Sequence, residues 1–267
     1  MNNIFLEANK DIFNEMVSNG IVGPKVFWTI ELPFEVPLLG SKIEINETMV
    51  ISWVVMLLIT GLCIILTRNL KVENISKRQA VAEWLVELAD KFVIGNMGEK
   101  FRKYIPFVAA LFATSVISNL ISLLGVRSPT TDLNTEAAWA AVVFVMITAT
   151  KIKTSGLGGY LKGYTEPIAV MTPFNVLSEL ATPIGMACRH FGNILSGLVI
   201  NTLIYSALIA ASAAVFSFLP GILAEIPFFS IGVPAVLSVY FDWFSGIMQA
   251  FIFCMLTTKY IANAAEG

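Results

Sequence analysis

One arginine, Arg189, stands inside the long apolar stretch from Thr172 to Tyr205, TPFNVLSELATPIGMACRHFGNILSGLVINTLIY. An arginine that deep among lipid-compatible residues costs from about 3 kcal/mol on insertion scales to about 10 or more in simulations, so it normally faces a bundle interior or a polar partner. The chemistry open to it is electrostatic, because a guanidinium stays charged at any relevant pH. At 100° per residue, Ser178, Thr182, Gly185, Asn193 and Ser196 fall within about 40° of Arg189, while Leu180, Ile184, Phe191, Ile194 and Leu198 take the other side. A small, polar face of this kind lets a neighbouring helix come close and leaves room for water or hydrogen bonds. The same spacing also fits a structural arginine pinned to a carboxylate of its own bundle.

A second polar stripe lies near the end of the chain. Asp242 and Gln249, seven residues apart, share a helical face with Ser238, Ser245 and Gly246. Two such stripes suit a water path and equally suit satisfied helix–helix hydrogen bonds. The single histidine, His190, sits about 100° around the helix from Arg189, where it packs sideways or tunes the site, since histidine titrates near neutral pH. One histidine cannot build a histidine-based metal centre, so no metal is expected. Cys63, Cys188 and Cys254 lie in apolar runs and read as small hydrophobes rather than as a disulfide or metal site.

The elements that must hold these residues are membrane helices. The chain has 267 residues, 56% hydrophobic and 13% charged, with mean hydropathy +0.76, outside the composition of a soluble domain. A net charge of -2 gives no basic footprint for nucleic acid. Five apolar runs qualify as spans: Met49 to Thr67, Ile105 to Val126, a short one from Ala137 to Thr150, Pro173 to Leu219, and Ile231 to Ala262. The fourth is too long for a simple crossing, so the fourth and fifth are expected to be long and tilted, with Pro183 and Gly185 available to bend the former. The expected fold is an all-α membrane protein of about five transmembrane helices plus an amphipathic helix on the cytoplasmic side.

Residues 1–47, with Pro33 and Pro37 and the run EVPLLGSKIEI, read as an external segment of extended or turning chain, without the pattern of a signal peptide. Residues 48–104 hold the first span and a polar segment in which Val81, Trp84, Leu85, Leu88 and Phe92 recur at helical spacing, predicting a helix over about 76–94 that lies on a membrane surface or a partner. Eight basic residues between Arg68 and Tyr104 mark that side as cytoplasmic, leaving the N-terminus outside and the C-terminus inside. Residues 105–267 form the remaining helical unit. Ser115, Ser118 and Asn119 on its first helix are candidates for interhelical glue. Asp132, in the turn RSPTTDLNTE, reads as a cap or turn residue. The loop KIKTSGLGGYLKGYTEP suits a flexible link and is no phosphate loop, since neither a strand nor a GKS/T pattern accompanies it. Pro220 and Pro227 stop the fourth helix on the outside.

The run TPIGMACRHFGNILSG resembles the P-x-x-x-x-x-R-x-F-G-N-x-x-x-G motif of subunit a of F-type ATP synthases. SPTTDLNTEAA, KIKTSGLGGY, SNLISLLG and the ending QAFIFCMLTTKYIANAAEG are similar to that family's segments in the same order, covering most of Ile105 to the end, while residues 1–104 match mainly in layout. The resemblance implies a stator subunit that carries H⁺ or Na⁺ through two half-channels to and from a ring of c subunits, with no cofactor and no catalysis of its own. Arg189 would face the ring, Asn193 would be its neighbour and Gln249 would pack opposite it. Asp242 would line one half-channel, Glu179 the other or its edge, with Ser178, Thr182 and Ser245 along the path and Asn119 and Asp132 near the entrance side. The implied partners are the c ring, the b subunits of the peripheral stalk, other ATP synthase subunits and membrane lipid; a bacterial inner membrane is the expected location. Leu198 departs from the family where a glutamate or histidine is common, Gly185 where a serine is frequent, and His190 where an aliphatic residue is usual. A multi-pass solute transporter is the alternative, though no internal repeat supports it. An intramembrane aspartyl protease would need two aspartates inside spans, and only Asp242 qualifies.

Overall fold

The computed structural model describes residues 24–36, 40–124, 126–166, 168–216, 229, 236–237 and 239–265. The first 23 residues of the expected external segment, and the turn expected at Pro220 and Pro227, lie outside the described residues.

The expected extended segment is a hairpin. In VFWTIEL the apolar residues Trp28, Ile30 and Leu32 alternate with Thr29 and Glu31, the period of a strand. Strand β1 (Val26–Val36) pairs antiparallel with β2 (Gly40–Asn46), setting Trp28 against Ile45 and Ile30 against Ile43. Asn46 ends the hairpin and caps the first helix, its side chain accepting from the Met49 N–H at 3.1 Å.

Six α-helices follow among the described residues: α1 (Glu47–Thr67), α2 (Lys77–Met97), α3 (Ile105–Ile121), α4 (Leu133–Gly163), α5 (Thr172–Phe216) and α6 (Ser245–Ala264). Four stretches among the described residues are long and apolar enough to cross a membrane: Glu47–Thr67, Glu99–Ile121, Leu133–Gly163 and Ala169–Phe216. The expected fifth span corresponds to α6, which carries Gln249, Thr257, Thr258 and Lys259 and falls outside that set. Helix α1 buries only Thr48 and Val55 and turns Leu57 and Ile64 outward, as a helix at a lipid-facing edge does.

Helix α2 starts at Ser76, whose side chain accepts from the Gln79 N–H, and Gln79 in turn exchanges two hydrogen bonds with the Lys71 backbone. Its ridge of Val81, Trp84, Leu85 and Leu88 faces away from the bundle, while Val93 and Met97 are buried and Phe92 meets Phe251 edge-on. The helix stops at Gly98, whose φ of 90° is a conformation that favours glycine.

The third span is longer than its apolar run. Asp132 caps α4 by accepting from the Asn134 N–H at 3.0 Å, and the helix continues through Lys151 and Lys153, residues expected in a flexible loop. Straight-chain lysines are good helix formers and no proline interrupts the segment before Pro167. Gly156, at φ 71° and ψ 165°, makes the one break within α4.

Helix α5 has 45 residues, so it is about 67 Å long at 1.5 Å per residue, against a hydrocarbon core of about 30 Å. Helix α6 is the hub. Gly246, Gln249, Ala250, Phe253, Cys254, Thr257, Thr258, Ile261 and Ala262 recur at spacings of three and four and are all buried, against α2, α3, α4 and α5. Around it the core gathers Val93, Phe101, Val108, Leu111, Val143, Ile147 and Met186.

Candidate functional site

Helix α5 has three faces where its sequence suggested two. Met186, Ala187, His190 and Gly197 are buried against the bundle. The Arg189 face looks outward: Ser178, Gly185, Arg189 and Ser196 are exposed, and Thr182 and Asn193 half-buried. Leu180 and Ile184, on the oily side, are exposed as well. A Cβ added at Gly185 or Gly192 would meet nothing within 4 Å, so the surface beside Arg189 is open. Among the described residues Arg189 has neither an ion pair nor a hydrogen bond.

Two contacts fix how α5 lies on α6. Asn193 Nδ2 donates to Ser245 Oγ at 2.7 Å, and the His190 ring lies 5.7 Å from that of Phe253. Moving up α5 moves back along α6, so the helices are antiparallel. Gln249 is buried, 5% exposed. The face expected for Asp242 and Gln249 crosses a change of helix type. Val239–Phe244 is π-helical, and the wider turn shifts the phase on which a uniform 100° projection relies. The side chains of Asp242 and Leu198, and Ser238 altogether, lie outside the described residues.

Beyond the Asn193–Ser245 bond lies a closed polar knot. The Gly246 carbonyl accepts from Asn119 Nδ2 at 3.0 Å, and Thr130 Oγ1 donates to Asn119 Oδ1 at 2.6 Å. Ser128 Oγ reaches Thr130 Oγ1 and donates to the Ser118 carbonyl, both at 2.6 Å. Thr48 Oγ1 donates to Asp132 Oδ2 at 2.9 Å, tying α1 to the cap of α4. All of these side chains are buried. Of the three residues expected to act as glue on α3, Asn119 does so. The hydroxyls of Ser115 and Ser118 are buried without hydrogen-bond partners among the described residues. Asp132 serves as a cap, and Asn119 holds α3 to α6.

In the other direction from Arg189 the polar groups line space instead. A cavity of about 450 Å³ is bordered by Lys151, Tyr160, Tyr164, Asn175, Ser178, Glu179, Thr182 and Asn263. Glu179 Oε1 accepts from Lys151 Nζ at 3.0 Å and from Tyr160 Oη at 3.4 Å. Burial, then the Glu179 carboxylate and the Tyr160 hydroxyl, raise the Tyr164 phenol above its ordinary range, so it stays neutral. Thr182 is seven residues before Arg189, about 10 Å along the axis. Arg189 therefore stands on α5 between the cavity and the knot.

One residue escaped the sequence reading. Glu136, in the first turn of α4, is fully buried, with Oε2 2.9 Å from Nδ1 of the equally buried His190. The distance is that of an ion pair, while the angles miss those of a hydrogen bond. Glu136 sits in the TDLNTE turn, where an acid looks like a first-turn helix residue; its pairing with His190 spans 54 positions and leaves no local signal.

The sequence profile of the ATP synthase A chain family matches residues 49–262. The subunit called ATP synthase subunit a 1 in Chlorobaculum parvum is 38% identical over 227 residues, covering 84% of this chain and 90% of that one. ATP synthase subunit a of Desulforamulus reducens is 31% identical over 245 residues, 90% of this chain and 88% of that one. The sodium ion specific subunit a of Propionigenium modestum is 29% identical over 269 residues, 91% of this chain and 86% of that one.

Proposed function

The chain belongs to the ATP synthase A chain family, and on that premise we propose that it is the stator subunit of the rotary membrane motor, carrying ions to and from a ring of c subunits. Arg189 carries this reading. It is exposed midway along a membrane-embedded helix and has no carboxylate partner among the described residues of its own chain. A charge so placed needs a counter-ion from outside, and a ring carboxylate passing the α5 face would supply it.

A ring carboxylate crosses lipid only when neutralised by a proton or a bound sodium ion. Two half-channels that do not meet would load and empty it, and Arg189, between them, favours the ionised form as each site passes. The same fixed charge opposes a cation leaking directly across. Lysine is a poorer separator because burial can discharge it. The cavity beside Ser178, Glu179 and Thr182 fits one half-channel, and Asn193, Ser245, Gln249 and Asp242 lie toward the other, with Asn119 and Asp132 shaping its end. Each charge crossing 100 mV supplies about 2.3 kcal/mol, so several ions pass for each ATP.

Residues 1–47 are assigned to the outside, 48–104 to the first span and a cytoplasmic surface helix, and 105–267 to ion translocation. Twelve basic residues then lie inside and Lys10, Lys25, Lys42 and Arg127 outside, which supports an N-terminus outside and a C-terminus in the cytoplasm; the membrane in this reading is a bacterial inner membrane. The exposed ridge of α2 and the first span suit the b subunits of the peripheral stalk. The ATP chemistry belongs to the other subunits, and this chain is no enzyme by itself.

ATP-driven acidification of inverted vesicles bearing the assembled complex, with and without Na⁺ and a protonophore, tests the reading. Wild type pumps and Arg189→Ala does not. Proton pumping identifies H⁺, whereas Na⁺ uptake that survives protonophore identifies Na⁺, the ion named for the Propionigenium modestum relative. Wild-type pumping by Arg189→Ala removes the central assignment.

A further inference from the structure

We propose that Glu136 and His190 form a positioning pair that fixes the rotation of α5 about its axis, and with it the direction in which Arg189 points. The inference rests on the role given to Arg189 above and adds the device that aims it.

Successive helical residues diverge by 100°, so a clamp on residue 190 sets where residue 189 faces. At this level the buried face of α5 otherwise offers Met186 and Ala187. Apolar contact of that kind is non-directional and tolerates slippage. Beside the Asn193–Ser245 bond to α6, the Glu136–His190 contact is the polar anchor of α5 on α4: Oε2 and Nδ1 lie 2.9 Å apart with both side chains fully buried, so a slip of α5 would separate two polar groups in apolar surroundings. The His190 ring is held between Trp139 at 6.3 Å and Phe253 at 5.7 Å. Neither Glu136 Oε1 nor His190 Nε2 has a hydrogen-bond partner among the described residues, so each group's polar neighbour is the other. Removing one leaves the other buried and alone, whereas replacing both by apolar residues of similar volume removes that penalty. The best-attested use of such a pair is to fix register rather than to add stability.

The two roles separate in vesicles containing the assembled complex, measured as ATP-driven ion pumping per assembled complex and as passive leak after the catalytic head is removed. Glu136→Ala and His190→Ala lose pumping about tenfold or more per complex, the scale of a misplaced reacting group. The exchange Glu136→His with His190→Glu recovers most of it. The apolar pair Glu136→Met with His190→Leu assembles as wild type yet pumps poorly and leaks, because α5 is packed but no longer keyed. Wild-type pumping by the apolar pair, or an exchange variant that assembles without recovering pumping, overturns the proposal. If single variants or the apolar pair do not assemble, the exchange variant decides. Arg189→Ala in the same vesicles keeps the two readings apart: a dead Arg189→Ala beside an active apolar pair sinks only the positioning role, while an active Arg189→Ala sinks the role of the arginine itself.

Discussion

The two ends of the bundle use nearly the same side chains and do opposite things with them. At one end Thr48, Asn119, Ser128, Thr130 and Asp132 satisfy one another at 2.6 to 3.0 Å and exclude solvent. At the other, Asn175, Ser178, Thr182 and Glu179 border a cavity of about 450 Å³. A polar residue inside a membrane protein is thus not a water path by its chemistry. It becomes one where helices stand apart, and here close packing is set by a glycine. A Cβ at Gly246 would come within 2.9 Å of Asn119 Cβ, so α3 and α6 pack closely at the knot, while α4, α5 and the end of α6 leave space between their polar groups.

The sharpest break of this contrast is chemical access. With the exposed Cys63 and Cys188 replaced by serine, Ser178→Cys reacts with a membrane-impermeant maleimide and Ser128→Cys stays unlabelled. Equal labelling would dissolve the distinction between an open and a closed end. Next in size is Asn119→Ala, which takes the side-chain donor from the Gly246 carbonyl and leaves the Thr130 hydroxyl with Ser128 alone, and costs about 1–3 kcal/mol in unfolding of the detergent-solubilised protein. Gly246→Ala forces α3 from α6 and costs about 1–3 kcal/mol in the same assay, with leakier vesicles if the knot opens. The smallest effect belongs to Lys151→Ala. The Lys151 side chain is 37% exposed and Glu179 11%, so water entering the cavity would screen the loss to under about 1 kcal/mol. A loss of several kcal/mol would mean that the cavity is dry and Glu179 stranded.

Much of this was written locally. The apolar runs announce the spans by length alone, the ridge at Val81, Trp84, Leu85 and Leu88 announces α2, and Asp132 before a helical pattern announces a cap. Arg189 stands out because burying a permanent charge needs a reason, whatever the fold. Local patterns misled where backbone energetics were nearly balanced. Lys151 and Lys153 continue α4 although the glycines beyond them suggested a loop, and Val239–Phe244 is π-helical where a uniform α-helix was assumed.

What the sequence by itself determined is therefore what each residue carries alone: hydropathy, charge, helical period, and the small face around Arg189. Tertiary structure decided what depends on a second residue far along the chain: that Glu136 meets His190, that Asn119 seats on Gly246, and that Arg189 is left without a partner in its described surroundings. The physical reason is range. Hydrophobic period and turn chemistry act over a few residues, whereas pairing across 54 or 127 positions depends on how helices pack, and no short segment encodes that packing.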